Sequence, residues 1–215
     1  MFNVFIASFP YLLKGAVMTL WLSVVVVTLG TALGLIVGTL AAVGPKSLRA
    51  AIAGYVFVLR GIPVLVVMFL GYYAFPAFGY RVDAYVAVGV SMIIYVGAFV
   101  TETTRGAILA IPSGQVAAAK SIGMRRWPML REVILPQAVR LAIPPLLNTA
   151  LTTIKQTSYA SVVGAWELSY AAREIVERTL AAFEIFIGVM AIYFVICYPL
   201  SLLARHLEKR YAFAS

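Results

Sequence analysis

The chain of 215 residues is 63% hydrophobic, well above the roughly 45–50% of a soluble domain, and only 12% charged. Its formal charge of +9 comes from 17 Lys and Arg against 8 Asp and Glu, and the basic residues flank apolar runs instead of forming one patch; this points to membrane topology and away from a nucleic-acid partner. One cysteine, Cys197, excludes a disulfide within the chain, and one histidine, His206, excludes a two-histidine zinc helix.

Charges are missing from Gly15 to Pro45, Gly61 to Tyr80, Ala84 to Thr101 and Ile185 to Ala204, while Leu141 to Trp166 holds only Lys155. Each run is near or above the ~18–20 residues that a helix needs to cross ~30 Å of hydrocarbon. The expected fold is an all-α polytopic membrane protein, a single transmembrane domain over residues 1–215 with five spans. No Lys or Arg precedes Lys14, and the first run is too long for a cleavable signal, so the first helix is expected to be retained.

The first span is expected from Val17 to Val43, stopped by Gly44-Pro45. Gly30, Gly34 and Gly38 lie on one of its faces and suit close helix packing, within this chain or against another subunit. The second span is expected from Gly54 to Phe75 and the third from Tyr85 to Thr104. At the inner end of the third, Glu102 and Arg105 are spaced i,i+3, as a stabilising ion pair or as a moving gate contact.

A helical elbow is expected next, over residues 113–136. Ser113 is a candidate N-cap, Ala117, Ala118 and Ala119 favour helix, and Gly123 suits a left-handed C-terminal turn. A second short helix has Pro128 near its start and Pro136 at its end. The short alanines let such an elbow enter a groove, with Arg125 and Arg126 as charged rim contacts and Met124 and Trp127 as apolar anchors.

The fourth span is expected from Ile143 to Val163, with a bent or broken entrance at Pro144-Pro145. Lys155 lies on its outer half, there to pair with an acidic group of the complex or to attract a substrate carboxylate. Asn148, Thr149, Thr152 and Ser158 join it as pathway candidates. These neutral groups offer no carboxylate, so a substrate met by this subunit is expected to be neutral or acidic, or a partner subunit holds the pocket. Tyr72, Tyr73 and Tyr95 read as interfacial or packing aromatics before ligand contacts. Residues 166–184 then form an external helix with Arg173–Glu177 and Glu174–Arg178 pairs, either a solvated surface or a docking face for an external protein. The fifth span, Glu184 to Leu203, leads into a charged tail.

With the N-terminus outside, twelve basic residues fall inside (Lys46, Arg49, Arg60, Arg105, Lys120, Arg125, Arg126, Arg131, Arg140, Arg205, Lys209 and Arg210) and four outside (Lys14, Arg81, Arg173 and Arg178). N-out, C-in is therefore the expected topology, and the elbow is cytoplasmic. The sequence has no CxxC pair, no GxSxG elbow and no GxxxxGK[ST] loop, so no catalytic role, metal site or cofactor is expected in this chain. If ATP drives it, another polypeptide hydrolyses it.

Several motifs resemble those of the membrane subunits of ABC importers, in the polar amino acid uptake class. That family's cytoplasmic motif is Glu-Ala-Ala, three residues, Gly, nine residues, Ile-x-Leu-Pro; here Ala117-Ala118-Ala119, Gly123 and Val133-Ile134-Leu135-Pro136 stand at the same spacing, with Ala117 in place of the acid. Arg60 to Val66 is similar to its Arg-Gly-Thr-Pro-Leu-Leu-Val, Thr101 to Ile108 to its Ala-Glu-x-x-Arg-Gly-Gly/Ala-Ile, and Ile154 to Leu168 to its Leu-Lys-x-Thr-Ser-x-x-Ser-Val-Ile-Gly-x-x-Glu-Leu. The resemblance implies a type I importer fold in a bacterial inner membrane. It implies a second permease subunit, identical or sister, two ABC ATPase subunits that hold ATP and Mg, and an external solute-binding protein; the elbow would be the coupling helix. A secondary transporter or channel is the rival reading, and a membrane-embedded enzyme a more distant one.

Overall fold

Nothing between Asn3 and Val43 stops a helix, and the first element, α1 (Asn3–Val43), is 41 residues long, about 62 Å at 1.5 Å per residue. It starts well ahead of Val17, because Pro10 removes one backbone donor without ending the helix. The computed structural model describes residues 3–211, and among them there is no strand. After α1 come α2 (Lys46–Gly61), α3 (Val64–Ala77), α4 (Ala84–Leu109), α5 (Ser113–Ser121), α6 (Arg126–Met129), α7 (Leu135–Gln156), α8 (Leu168–Thr179) and α9 (Ala182–Tyr211).

The glycine stripe serves contacts inside the chain. A Cβ on Gly30 would stand 2.9 Å from Val96 Cγ1, one on Gly34 would overlap Val100, and one on Gly38 would stand 2.6 Å from the Thr101 carbonyl oxygen. These three residues let α1 lie against the backbone of α4. The opposite side of α1 shows Val17, Trp21, Val24 and Ile36, each more than half exposed. A helix apolar on both its packed and its outer faces is suited to lipid as the outer solvent.

The second expected span is not one straight helix. The helices α2 and α3 meet at 106°. Pro63 has no N–H and holds the preceding residue in extended backbone; Ile62 has φ −109° and ψ 134°. Asp83 then caps α4, its carboxylate accepting from the Tyr85 N–H at 2.8 Å. Three helices, α1, α4 and α9, are long and apolar enough to cross a membrane, and α2 with α3 makes a fourth if counted as one broken span. Missing from these is α7, which carries Arg140, Asn148, Thr149, Thr152, Thr153 and Lys155. Length and composition thus support three of the five expected spans, or four with the bent pair counted as one.

The anticipated break at Pro144-Pro145 is absent: α7 continues through both prolines. A widened π-helical turn, Leu130–Ile134, joins α6 to α7, and Met129 and Leu135 on either side keep right-handed helical backbone. Pro136 cannot donate to the carbonyl four residues back, which favours the wider turn. Instead of ending a helix, Pro136 lies in the first turn of α7.

The core has three main tiers, and a smaller cluster of Ala41, Ile52 and Val56 fastens α1 to α2. Leu12, Ala16, Leu168, Ala171, Ile175 and Ile185 fasten α1, α8 and α9 at one end. Leu22, Val26, Met68, Met92, Val96 and Val100 join α1, α3 and α4 in the middle. Ala107, Ile108, Ala119, Met129, Ile134 and Ala138 fasten the elbow to α4 and α7 at the other end.

Candidate functional site

The elbow is built from local signals. Ser113 is the first residue of α5 and does not cap it; the N-cap is Pro112, which supplies no side-chain bond. At the far end Gly123 has φ +78°, its N–H donates to the Lys120 carbonyl at 2.9 Å, and the Met124 N–H donates to the Ala119 carbonyl at 3.1 Å. This pair of bonds is a Schellman motif, and only glycine adopts that φ without strain.

Side chains divide between anchoring and display. Ala119 is buried and Met124 half-buried against the elbow-end core, so neither is a free contact surface. Ala117, Ala118, Arg125 and Arg126 are exposed, and Trp127 is 68% exposed. Ile122, 77% exposed, is an apolar anchor the sequence reading passed over; its place just before Gly123 is the signal that could have found it. Two large apolar side chains among exposed basic residues form a patch suited to a protein partner.

A cavity of about 230 Å³ opens between α4 and α7, lined by Asn148, Thr149, Thr152, Thr153 and Gln156 with Tyr95 and Phe99. It joins three of the expected pathway residues and adds Thr153 and Gln156, which the sequence reading did not select. Lys155 and Ser158 are not among its lining residues. Ser158 donates its hydroxyl to the Lys155 carbonyl at 2.7 Å, and among the described residues no carboxylate lies within 4.0 Å of the Lys155 ammonium. No acid is among the cavity's lining residues, but one carboxylate reaches Asn148 from beyond them. Glu208, on the last turns of α9, accepts from Asn148 Nδ2 at 3.2 Å.

Glu102 and Arg105 do pair. Arg105 Nη2 donates to Glu102 Oε1 at 2.5 Å and Nε donates to Oε2 at 3.0 Å, a bidentate pair on α4. Both are about one-third exposed and line a cleft of about 890 Å³ between α1, α2 and α4.

A further polar centre is built on the Glu of the Ile154 to Leu168 motif, a residue to which the sequence alone gave no role. Glu167 is fully buried and caps α8, accepting from the N–H groups of Ser169 and Tyr170 at 2.8 and 3.0 Å. It also accepts from the hydroxyls of Thr19 on α1, at 3.0 Å, and Tyr193 on α9, at 3.2 Å. One carboxylate thus ties three helices. Burial raises its pKa despite these four bonds. Nearby, Glu174 accepts from Tyr11 Oη at 2.5 Å and Trp166 Nε1 at 3.0 Å, and the Tyr11 bond foremost holds its carboxyl below the usual range. Of the expected surface pairs, Glu174–Arg178 spans 4.0 Å, while Arg173 lies over the Tyr170 ring instead of pairing with Glu177.

Glu167→Ala is expected to cost about 3 kcal/mol by leaving buried hydroxyls and the α8 cap unpaired. Glu167→Gln should retain most of that stability. Because the folded pKa is raised, wild-type stability is lost as pH rises from the unfolded value of about 4.3 towards the folded one. The Gln variant should lack that slope, as thermal unfolding in detergent across this pH range would record.

Comparison with known proteins agrees with this architecture. The glutamine transport system permease protein GlnP of Escherichia coli strain K12 is 38% identical over 205 residues, which cover 94% of each chain. The L-cystine transport system permease protein TcyB of Bacillus subtilis strain 168 is 38% identical over 202 residues, covering 94% of this chain and 86% of TcyB. A crystal structure of an amino acid ABC transporter superposes with a TM-score of 0.91 at 33% identity over 98% of both chains. Residues 30–213 match the profile of one family, and the chain belongs to it: the binding-protein-dependent transport system inner membrane components.

Proposed function

We propose that this chain is a permease subunit of an ATP-driven importer and forms half of the membrane pathway for a polar amino acid delivered by an external binding protein. Two such subunits, identical or sister, would pair above two ABC ATPases that hold ATP and Mg, and this subunit would carry no catalysis of its own. The N-terminus faces outward and the elbow faces the cytoplasm. Support for that orientation comes from the grouping of charge: Lys46, Arg49, Arg60 and Arg105 gather round one cleft, and Lys120 and Arg126 round a groove beside Val43, at the same end of α1.

The observation that carries the reading is the continuity of the elbow with the pocket helix. From Arg126, α6, the π-helical turn and α7 follow one another as far as Gln156. At 1.5 Å per residue, Asn148 lies about 33 Å along this rod from Arg126. A push on Trp127 and Ile122 is therefore delivered to the helix that bears Asn148, Thr149 and Thr152. ATPase closure favours one of two helix arrangements by contacting it better, and the α4–α7 cavity opens or closes accordingly. In this scheme α7 completes a set of five crossings, its polar face turned to the pathway, where polar groups in a membrane are tolerated.

The cavity's neutral lining suits an uncharged polar amino acid, with Glu208 bonded to Asn148 but not among the lining residues. Asn148→Leu should lower ATP-driven uptake by about tenfold or more through loss of its hydrogen bonds, and leave substrate binding to the external protein unchanged. Glu208→Gln should leave uptake of a neutral amino acid within about twofold, since a neutral acceptor still serves Asn148. Uptake of radiolabelled amino acid into proteoliposomes checks both; strong preference for arginine or lysine, lost on Asn148→Leu, would reverse the substrate assignment.

A further inference from the structure

The cleft between α1, α2 and α4 has a charge surplus that marks the cytoplasmic side but takes no part in moving substrate. Lys46, Arg49, Arg60 and Arg105 line it against a single carboxylate, Glu102. Glu102 is already occupied by the bidentate bond from Arg105, so three cations are left over. Arg60 is partly engaged over the Phe99 ring at 5.5 Å, while Lys46 and Arg49 are exposed. In the wall of the cleft, the fully buried Thr101 hydroxyl has no hydrogen-bond partner. Apolar side chains border the charged part: Phe57 is 82% exposed and Leu109 59%. Cations beside outward-facing apolar side chains match an amphiphile with a phosphate head and acyl tails. A soluble anion would have no use for Phe57 and Leu109.

We propose that this cleft binds the headgroup of an anionic phospholipid of the cytoplasmic leaflet, such as phosphatidylglycerol. Lys46 and Arg49, one turn apart, hold the phosphate, Arg60 adds its charge from the far end of α2, and Phe57 and Leu109 flank the acyl chains. The proposal rests on the membrane orientation given above. Basic pockets between helices at this leaflet attract anionic headgroups, and each cation near the surface contributes about fivefold in affinity. Since the cleft is built on α4, which also packs against the elbow, an occupied cleft would brace the elbow end of the molecule.

The test uses the intact complex, purified with its partner subunits and exchanged into mixed vesicles of phosphatidylglycerol and phosphatidylcholine, with retained lipid measured by mass spectrometry after re-extraction. The unaltered complex should retain phosphatidylglycerol selectively. K46Q/R49Q should reduce that retention about 25-fold, while K209Q/R210Q, which removes two cations at the same end but outside the cleft, should not. For a variant that fails to assemble, a salt titration of the unaltered complex serves instead: retention should fall steeply up to about 0.5 M salt as screening grows.

Equal retention of both lipids, an equal loss in both double variants, or retention indifferent to salt would overturn the proposal. So would inorganic phosphate bound with no lipid retained, or loss of a protein subunit from K46Q/R49Q with lipid retention unchanged, which would make the cleft a protein interface. ATP-driven uptake by the same preparation separates the two readings. Uptake without selective lipid retention defeats only the lipid site; retention without uptake defeats the transport assignment.

Discussion

Gly34→Val should cost about 3 kcal/mol or more and leave little folded protein in the membrane. The added Cβ would overlap Val100 and stand 2.8 Å from the Gly97 carbonyl oxygen, in the closest part of the α1–α4 contact. Neither neighbour can give way cheaply, because Val100 is fully buried and the carbonyl belongs to the α4 backbone. The whole of α1 would have to lift from α4, opening the middle tier of the core. Gly54→Ala is the matched control: a Cβ there meets nothing within 4 Å, and alanine in a helix should be neutral or better by up to about 1 kcal/mol. Thermal unfolding of the detergent-purified variants, with yield from the membrane fraction, would show the opposed signs. Equal behaviour would mean that the glycine stripe has no packing role.

The second large effect concerns the elbow. Removing Trp127 and Ile122 together, as Trp127→Asp with Ile122→Asp, should abolish stable capture of the ATPase subunits, since large apolar anchors at such contacts each contribute about 2 kcal/mol or more. The chain itself should stay folded, because both side chains are largely exposed and outside the elbow-end core. Gly123→Val should act more mildly and differently. A Cβ there meets nothing within 4 Å, so the cost expected is that of the left-handed backbone at φ +78°, about 1–2 kcal/mol, with the elbow distorted instead of stripped of contacts. Co-purification of ATPase and ATP hydrolysis in proteoliposomes distinguish the two: the first variant should lose the partner, the second should keep it while hydrolysis no longer drives uptake.

Local chemistry was legible in the sequence wherever one segment sufficed. Gly44-Pro45 ends α1 where expected, the four-residue glycine spacing marks the face against α4, and Gly123 takes its left-handed turn. Directions and distant partners were not legible. An apolar run has the same hydropathy whether straight or bent, so the 106° turn at Pro63 passed as a continuous span although Gly61 and Pro63 stand in it. The reach of α1 was underestimated because its span was counted from the charge-free run after Lys14, while the helix continues back through Lys14 and Pro10. Glu167 stood out as part of a motif but not as a tie between helices, since its partners Thr19 and Tyr193 lie 148 and 26 positions away. Glu208 was placed in a charged tail, 60 positions from the Asn148 it meets. For α7 the difficulty is its polar lining: Asn148, Thr149, Thr152 and Thr153 lower its apolar character while giving it the cavity that suits a pathway.

The central claim is that this chain moves an amino acid only when a separate ATPase drives it through the elbow. Proteoliposomes containing the permease complex, with external binding protein and labelled amino acid outside and ATP sealed within, test it directly. Uptake is expected to require both the ATPase subunits and ATP, and to vanish with Trp127→Asp/Ile122→Asp. Equal uptake from vesicles that lack the ATPase, driven by an ion gradient alone, would contradict the account.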